Sequence, residues 1–224
     1  MTIRRQLFYS IISLLLVILL FGLTNLDLYI QDLFYVFDTN TWILSRDAQP
    51  WKFIFYDGIK RLLICIALIF LFILIFFRNH KRIVAYKKGI LLVVLSSIFI
   101  PLLVGGLKKS TNMPCPKNEM QYAGEIPRTA VWEKYIEPYK SIDKIACWPA
   151  GHASGGFALL SFFFLFKTKR NKLISLFIAL SIGWSMGIYK MLIGDHFLSH
   201  TLITMNISWI CILGIYTIIS KEIN

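Results

Sequence analysis

The run Leu62-Leu63-Ile64-Cys65-Ile66-Ala67-Leu68-Ile69-Phe70-Leu71-Phe72-Ile73-Leu74-Ile75-Phe76-Phe77 decides the fold class, because no charge interrupts it. A second run, ILLVVLSSIFIPLLVGG at residues 90–106, repeats the pattern. Stretches this apolar do not suit a soluble surface, and a helix satisfies its own backbone in lipid. The mean hydropathy of +0.65 and 57% apolar content extend the conclusion to the chain as a whole. It reads as an all-α, polytopic membrane protein.

A formal charge of +12 would suggest nucleic acid in a soluble protein, so the positions of the charges matter more than their sum. Arg4-Arg5, residues 78–88 and residues 167–172 are the dense clusters, and each sits beside an apolar span. They read as cytoplasmic flanks, with the lipid bilayer and not nucleic acid as the partner.

Spans are expected at residues 6–24, 61–77, 89–107, 150–166, 173–193 and 201–219, the fourth being short. No A-x-A-like cleavage site follows the first, which reads as a retained helix. About six helices with both termini inside put every basic cluster on one side, as expected of a multi-pass membrane protein. Residues 1–224 then form a single integral membrane domain. Residues 25–60 mix aspartates with Trp42, Trp51 and Tyr56, which suits the headgroup level, but their periodicity is too irregular to assign chemistry. Residues 108–148 are too polar to cross lipid and too long for a turn, so they read as a functional loop.

That loop ends in Cys147-Trp148-Pro149-Ala150-Gly151-His152-Ala153-Ser154-Gly155-Gly156, where an apolar helix begins. A helix entrance leaves N–H groups unpaired, and with the helix dipole these favour an anion. The competing reading is close helix packing through Gly151 and Gly155. Three of the four histidines, His152, His196 and His200, fall on the outer face with Lys108, Lys109 and Lys190. This set suits phosphoryl transfer without a metal. A neutral imidazole attacks phosphorus, cations and N–H groups hold the oxygens, and a second imidazole protonates the leaving oxygen. A metal site is the rival, since His196 and His200 stand at i, i+4 and Asp195 and His152 offer further ligands.

The order of these motifs resembles the type 2 phosphatidic acid phosphatase superfamily, with its pattern K-x6-R-P, P-S-G-H and S-R-x5-H-x3-D. Here Lys108 precedes Cys115-Pro116, the middle motif is Pro149-Ala150-Gly151-His152, and the last is Tyr189-Lys190, five residues, His196, three residues, His200. The motifs cover residues 108–200 at the family's spacing. The resemblance implies that His196 is the nucleophile forming a phosphohistidine, that His152 protonates the leaving group, and that Lys108 and Lys190 bind phosphate. It also implies a periplasmic active site and no cofactor.

Departures from the pattern include Cys115 for arginine, Ala150 for serine, Lys190 for arginine and His200 for aspartate. Ala150 keeps its backbone N–H, Lys109 or Arg128 can supply the missing cation, and His200 or Asp195 can orient His196. Cys115 and Cys147 share the outer loop and are expected to pair in an oxidising compartment, while Cys65 and Cys211 lie inside spans. The expected activity is a metal-independent lipid phosphatase, a phosphoric monoester hydrolase. The Cys-Pro and H-F-L-S-H forms resemble lipid A phosphatases, so lipid A comes first among substrates. Undecaprenyl diphosphate, phosphatidylglycerol phosphate and transfer to an acceptor lipid are the alternatives. A non-catalytic membrane scaffold is the alternative of another class.

Overall fold

Among the described residues, five helices are long and apolar enough to cross a membrane: Ile3–Leu23 (α1), Phe53–Phe76, Lys87–Lys108 (α5), Lys169–Leu192 (α8) and Leu198–Lys221. The computed structural model describes residues 2–141, 145 and 147–222. Within Phe53–Phe76, a π-helical stretch Phe53–Gly58 runs into α3, Ile59–Phe76, so this span starts earlier than its apolar run suggests. Short helices α2 (Leu26–Asp32) and α4 (Lys81–Val84) lie between spans. A shorter apolar segment, Gly151–Leu165, joins α6 (Gly151–Ala158) to α7 (Phe162–Leu165) through a 3-10 turn, and α9 is Leu198–Glu222.

Sequence sets the helix starts on the basic side. Thr2 and Thr168 accept from the N–H groups of Arg5 and Asn171, satisfying donors that α1 and α8 cannot pair internally. Pro101 lies inside α5 without ending it.

The short helix is the best enclosed. Helix α6 packs on α5, α8 and α9, and the core runs through Leu92, Ile100, Ala153, Phe157, Ala179 and Ile203. Helix α3 buries none of its residues and α1 only Phe21, so much of their Leu, Ile and Phe surface is left to face lipid, while Leu14, Val17, Ile18, Leu63 and Ile66 pack against the core. Small residues let α6 approach its neighbours, although not at the pair expected. A Cβ on Gly156 would stand 2.7 Å from the Cα of Gly183, whereas one on Gly155 would meet only a Leu63 methyl at 3.3 Å and one on Gly151 the Lys108 side chain. The packing contact is therefore Gly156 on Gly183.

At the end away from the basic clusters, residues 25–52 form more than an interfacial segment. Strands β1 (Tyr35–Val36) and β2 (Thr41–Trp42) pair antiparallel, and Tyr35 and Trp42 pack edge-on or tilted against Tyr122 of the 109–150 loop. The expected disulfide is present: Cys115 and Cys147 are bonded, which ties that loop to the start of α6.

The Gly156 contact is backbone against backbone and cannot yield by a rotamer change. Gly156→Val is expected to cost about 1–3 kcal/mol by overpacking, read as a lower thermal unfolding temperature of the detergent-solubilised protein.

Candidate active site

Lys190 closes α8, and six residues later His196 stands before α9. The turn between them needs glycine. Gly194 has φ +71°, and a Cβ there would run into the Trp42 indole. Beyond it the Asp195 and His196 N–H groups both donate to the Lys190 carbonyl, at 2.8 and 3.3 Å. Helix α9 is then capped from far away: Asp27 of α2 accepts the Ser199 N–H at 3.0 Å and its hydroxyl at 2.5 Å. A carboxylate at a helix start satisfies an orphan donor and complements the dipole.

Helix α6 is fastened to the same place. The Ala150 N–H donates to the His200 carbonyl at 3.3 Å, and the Thr204 hydroxyl reaches the Ala150 carbonyl, also at 3.3 Å. The His152 and His196 rings consequently meet with centroids 6.2 Å apart. His196 Nδ1 lies 3.3 Å from His200 Nδ1, so one ring donates and the other accepts. His152 Nε2 pairs with the Tyr56 hydroxyl at 3.1 Å, while His152 Nδ1 and His200 Nε2 are buried without a partner.

Asp195 faces the cations, not His196. Its carboxylate accepts from Arg46 at 2.6 Å, Lys117 at 2.8 Å and Lys190 at 2.9 Å. Lys190 also sits over the Tyr56 ring, 4.3 Å from its centroid. Lys108 comes to the α6 entrance, its Nζ 3.7 Å from where a Gly151 Cβ would be. Three cations thus pair with one carboxylate and Lys108 stands at the helix entrance, an excess of positive charge beside a helix N-terminus.

Burial first, then the positive charge of His200, Lys108 and His152, holds the His196 imidazole well below its ordinary pKa. It is therefore neutral at neutral pH, with a lone pair available. Burial alone would raise Asp195, but the hydrogen bonds of Arg46 and Lys117 and the charge of Lys190 overcome it and keep the carboxylate ionised.

A sequence profile described as the PAP2 superfamily matches residues 89–224. The chain belongs to this family. No curated protein and no solved structure matches it. PAP2 members are phosphatases, which makes the chain a multi-pass membrane phosphatase of phosphorylated lipids.

Against the PAP2 pattern, the structure gathers His152, His196, His200, Lys108, Lys190, Gly151 and Asp195, and it revises three expectations. Ala150 does not offer its N–H to an anion, because His200 already holds it. Arg128 does not join the cations; it lies over the Phe197 ring, 5.5 Å from the centroid, and lines a small cavity with Asp27 and Trp148. Lys109 is exposed at the end of α5. Arg46 and Lys117 supply the positive charge instead, and Tyr56 and Asp27 join the site from segments that sequence left without chemistry. Lys117 stands two residues past Cys115, and Arg46 is the single arginine of residues 25–52. The proposed metal set also loses a member, since both Asp195 oxygens are engaged by cations.

Burial pushes Asp27 up from 3.8 to about 6 against the hydrogen bonds from Ser199. The folded carboxyl holds its proton more tightly than the unfolded one, so the resulting stabilisation is complete below pH 3.8 and is lost as pH rises through about 6. Asp27→Asn, which keeps an acceptor, is expected to flatten that pH dependence. Asp27→Ala is expected to cost about 0.5–2 kcal/mol at any pH. Unfolding temperatures measured across this range check both.

Proposed function

We propose that the chain removes phosphate from a lipid phosphate through a phosphohistidine on His196, without a metal. The observation carrying this reading is the His152, His196 and His200 cluster. With the His196 Nδ1 proton directed at His200 Nδ1, the lone pair lies on Nε2, the nitrogen left for attack. His200 thereby fills the orienting role, and Asp195 balances the cations.

In the first step Nε2 of His196 bonds to phosphorus, the P–O bond to the lipid breaks, and His152, protonated once the phosphate anion is bound beside it, gives its proton to the leaving oxygen. In the second, His152 takes a proton from water, the water oxygen bonds to phosphorus, and the P–N bond breaks. Lys108, Lys190 and the first N–H groups of α6 hold the phosphoryl oxygens, joined by Arg46 and Lys117. Tyr56 keeps the His152 ring in place between the two steps.

A cavity of about 350 Å³ supports a lipid as the substrate. It leads from His152 along Leu63, Ile64, Ala67, Pro101 and Leu159, an apolar slot between α3, α5 and α6 that fits a hydrocarbon chain. Lipid A stands first on the Cys-Pro and H-F-L-S-H forms, with undecaprenyl diphosphate, phosphatidylglycerol phosphate and transfer to an acceptor lipid as alternatives. The basic clusters favour an inner-membrane protein with this end in the periplasm. The packing of α1 on α9 supports reading residues 1–224 as one domain.

His196→Ala is expected to abolish both turnover and acid-labile phosphate on the protein, and undiminished turnover would remove it as nucleophile. His152→Ala is expected to slow turnover by about 10²- to 10⁴-fold, the usual worth of a general acid. A panel of lipid phosphates, followed for free phosphate and for phosphorylated acceptor, identifies the substrate. Release by the oxidised protein is expected to survive EDTA, and its loss there would overturn the metal-free mechanism.

A further inference from the structure

The disulfide places a sulfur beside two imidazoles, and no step of the proposed hydrolysis uses it. Cys147 Sγ lies 3.7 Å from Nδ1 of His196, which lies 3.3 Å from Nδ1 of His200. The ligand atoms of the three residues fall within 4.8 Å of one another, and all three residues are buried. Zinc bonds of ~2.05 Å to nitrogen and ~2.3 Å to sulfur at tetrahedral angles put N···N at about 3.3 Å and N···S at about 3.6 Å. Two edges of a zinc tetrahedron are therefore already built.

The state of the sulfur keeps the site closed, because zinc takes a thiolate and the Cys147 sulfur is bonded to Cys115. We propose that reduction of the Cys115–Cys147 disulfide turns this cluster into a zinc site, ligated by Cys147 Sγ and the Nδ1 atoms of His196 and His200, which switches the nucleophile off. Cleavage of the bond to Cys115 removes the covalent restraint on the Cys147 side chain, whose rotation then closes the third edge.

The steps balance with a dithiol as reductant. Its thiolate attacks the Cys115 sulfur, which is partly exposed while Cys147 is buried, and Cys147 leaves as the thiolate. The second thiol of the reductant then closes its own disulfide and releases Cys115 as a thiol. Zinc binds the Cys147 thiolate and the Nδ1 lone pairs of both imidazoles, displacing the proton they share. A neutral imidazole that gives Nδ1 to a metal carries its proton on Nε2. Nε2 of His196 then has no lone pair with which to attack phosphorus. The inhibition rests on the proposed role of His196, whereas the metal site does not.

The test uses the full chain in detergent, oxidised or reduced with a phosphine, titrated with Co(II) and then with Zn(II). Reduced protein is expected to bind one cobalt with a thiolate-to-cobalt charge-transfer band that zinc abolishes, and oxidised protein to show no such band. Cys115→Ser is expected to behave as reduced protein without any reductant. Cys147→Ser is expected to lose the band and to bind zinc more weakly by at least the roughly 10- to 100-fold that loss of an outer-shell partner costs. Absence of the band from both reduced protein and Cys115→Ser overturns the site, as does its persistence in Cys147→Ser. Turnover is expected to fall with zinc in the reduced protein only. Zinc bound with turnover intact overturns the switch, while trapping of phosphate on His196 judges the hydrolysis mechanism separately.

Discussion

Two hydrogen bonds between Ala150 and the first turns of α9 hold this site together. The Ala150 N–H goes to the His200 carbonyl, and the Ala150 carbonyl receives the Thr204 hydroxyl, so two helix starts remote in sequence share one backbone junction. His152 follows that junction by two residues and His196 precedes His200 by four, which fixes the imidazoles relative to each other. The residue at the junction is wholly buried, which suits the small side chain of alanine. Behind it, Gly156 against Gly183 keeps α6 close to α8, and the Asp27 cap holds the start of α9 from the other side.

Charge is balanced as locally as the backbone is. Three cations converge on Asp195, whose neighbour in sequence is His196. Without that carboxylate they would repel one another at the edge of a low-dielectric interior, where Coulomb terms are several times larger than in water. Lys190, which stands where the family pattern has arginine, lacks a planar fork but gains the face of Tyr56 as a second partner. The position that the pattern gives to another arginine is a disulfide here, and Lys117 and Arg46 reach the space from beside it.

Much of this was legible in the chain. Uninterrupted apolar runs give the spans because length and hydropathy suffice for that inference, and the motif spacing brings His152, His196, Lys108 and Lys190 together. Arg46 and Asp27 were not legible, because each acts across about 150 positions or more with no periodicity to announce it. The π-helical start of the second span carries Tyr56 and Asp57 among its aromatics and so hid from a hydropathy reading. Ala150 misled for a different reason. A helix entrance offers free N–H groups in general, but here a neighbouring helix had already claimed the first of them.

The brevity of the central segment has a geometric consequence. Gly151–Leu165 is fifteen residues, about 22 Å of rise at 1.5 Å per residue, against ~30 Å of hydrocarbon. With Lys167, Lys169 and Arg170 anchoring its far end at one interface, the shortfall collects at the other. His152, in the first turn of this segment, is therefore set inward of the ends that the longer helices around it can reach.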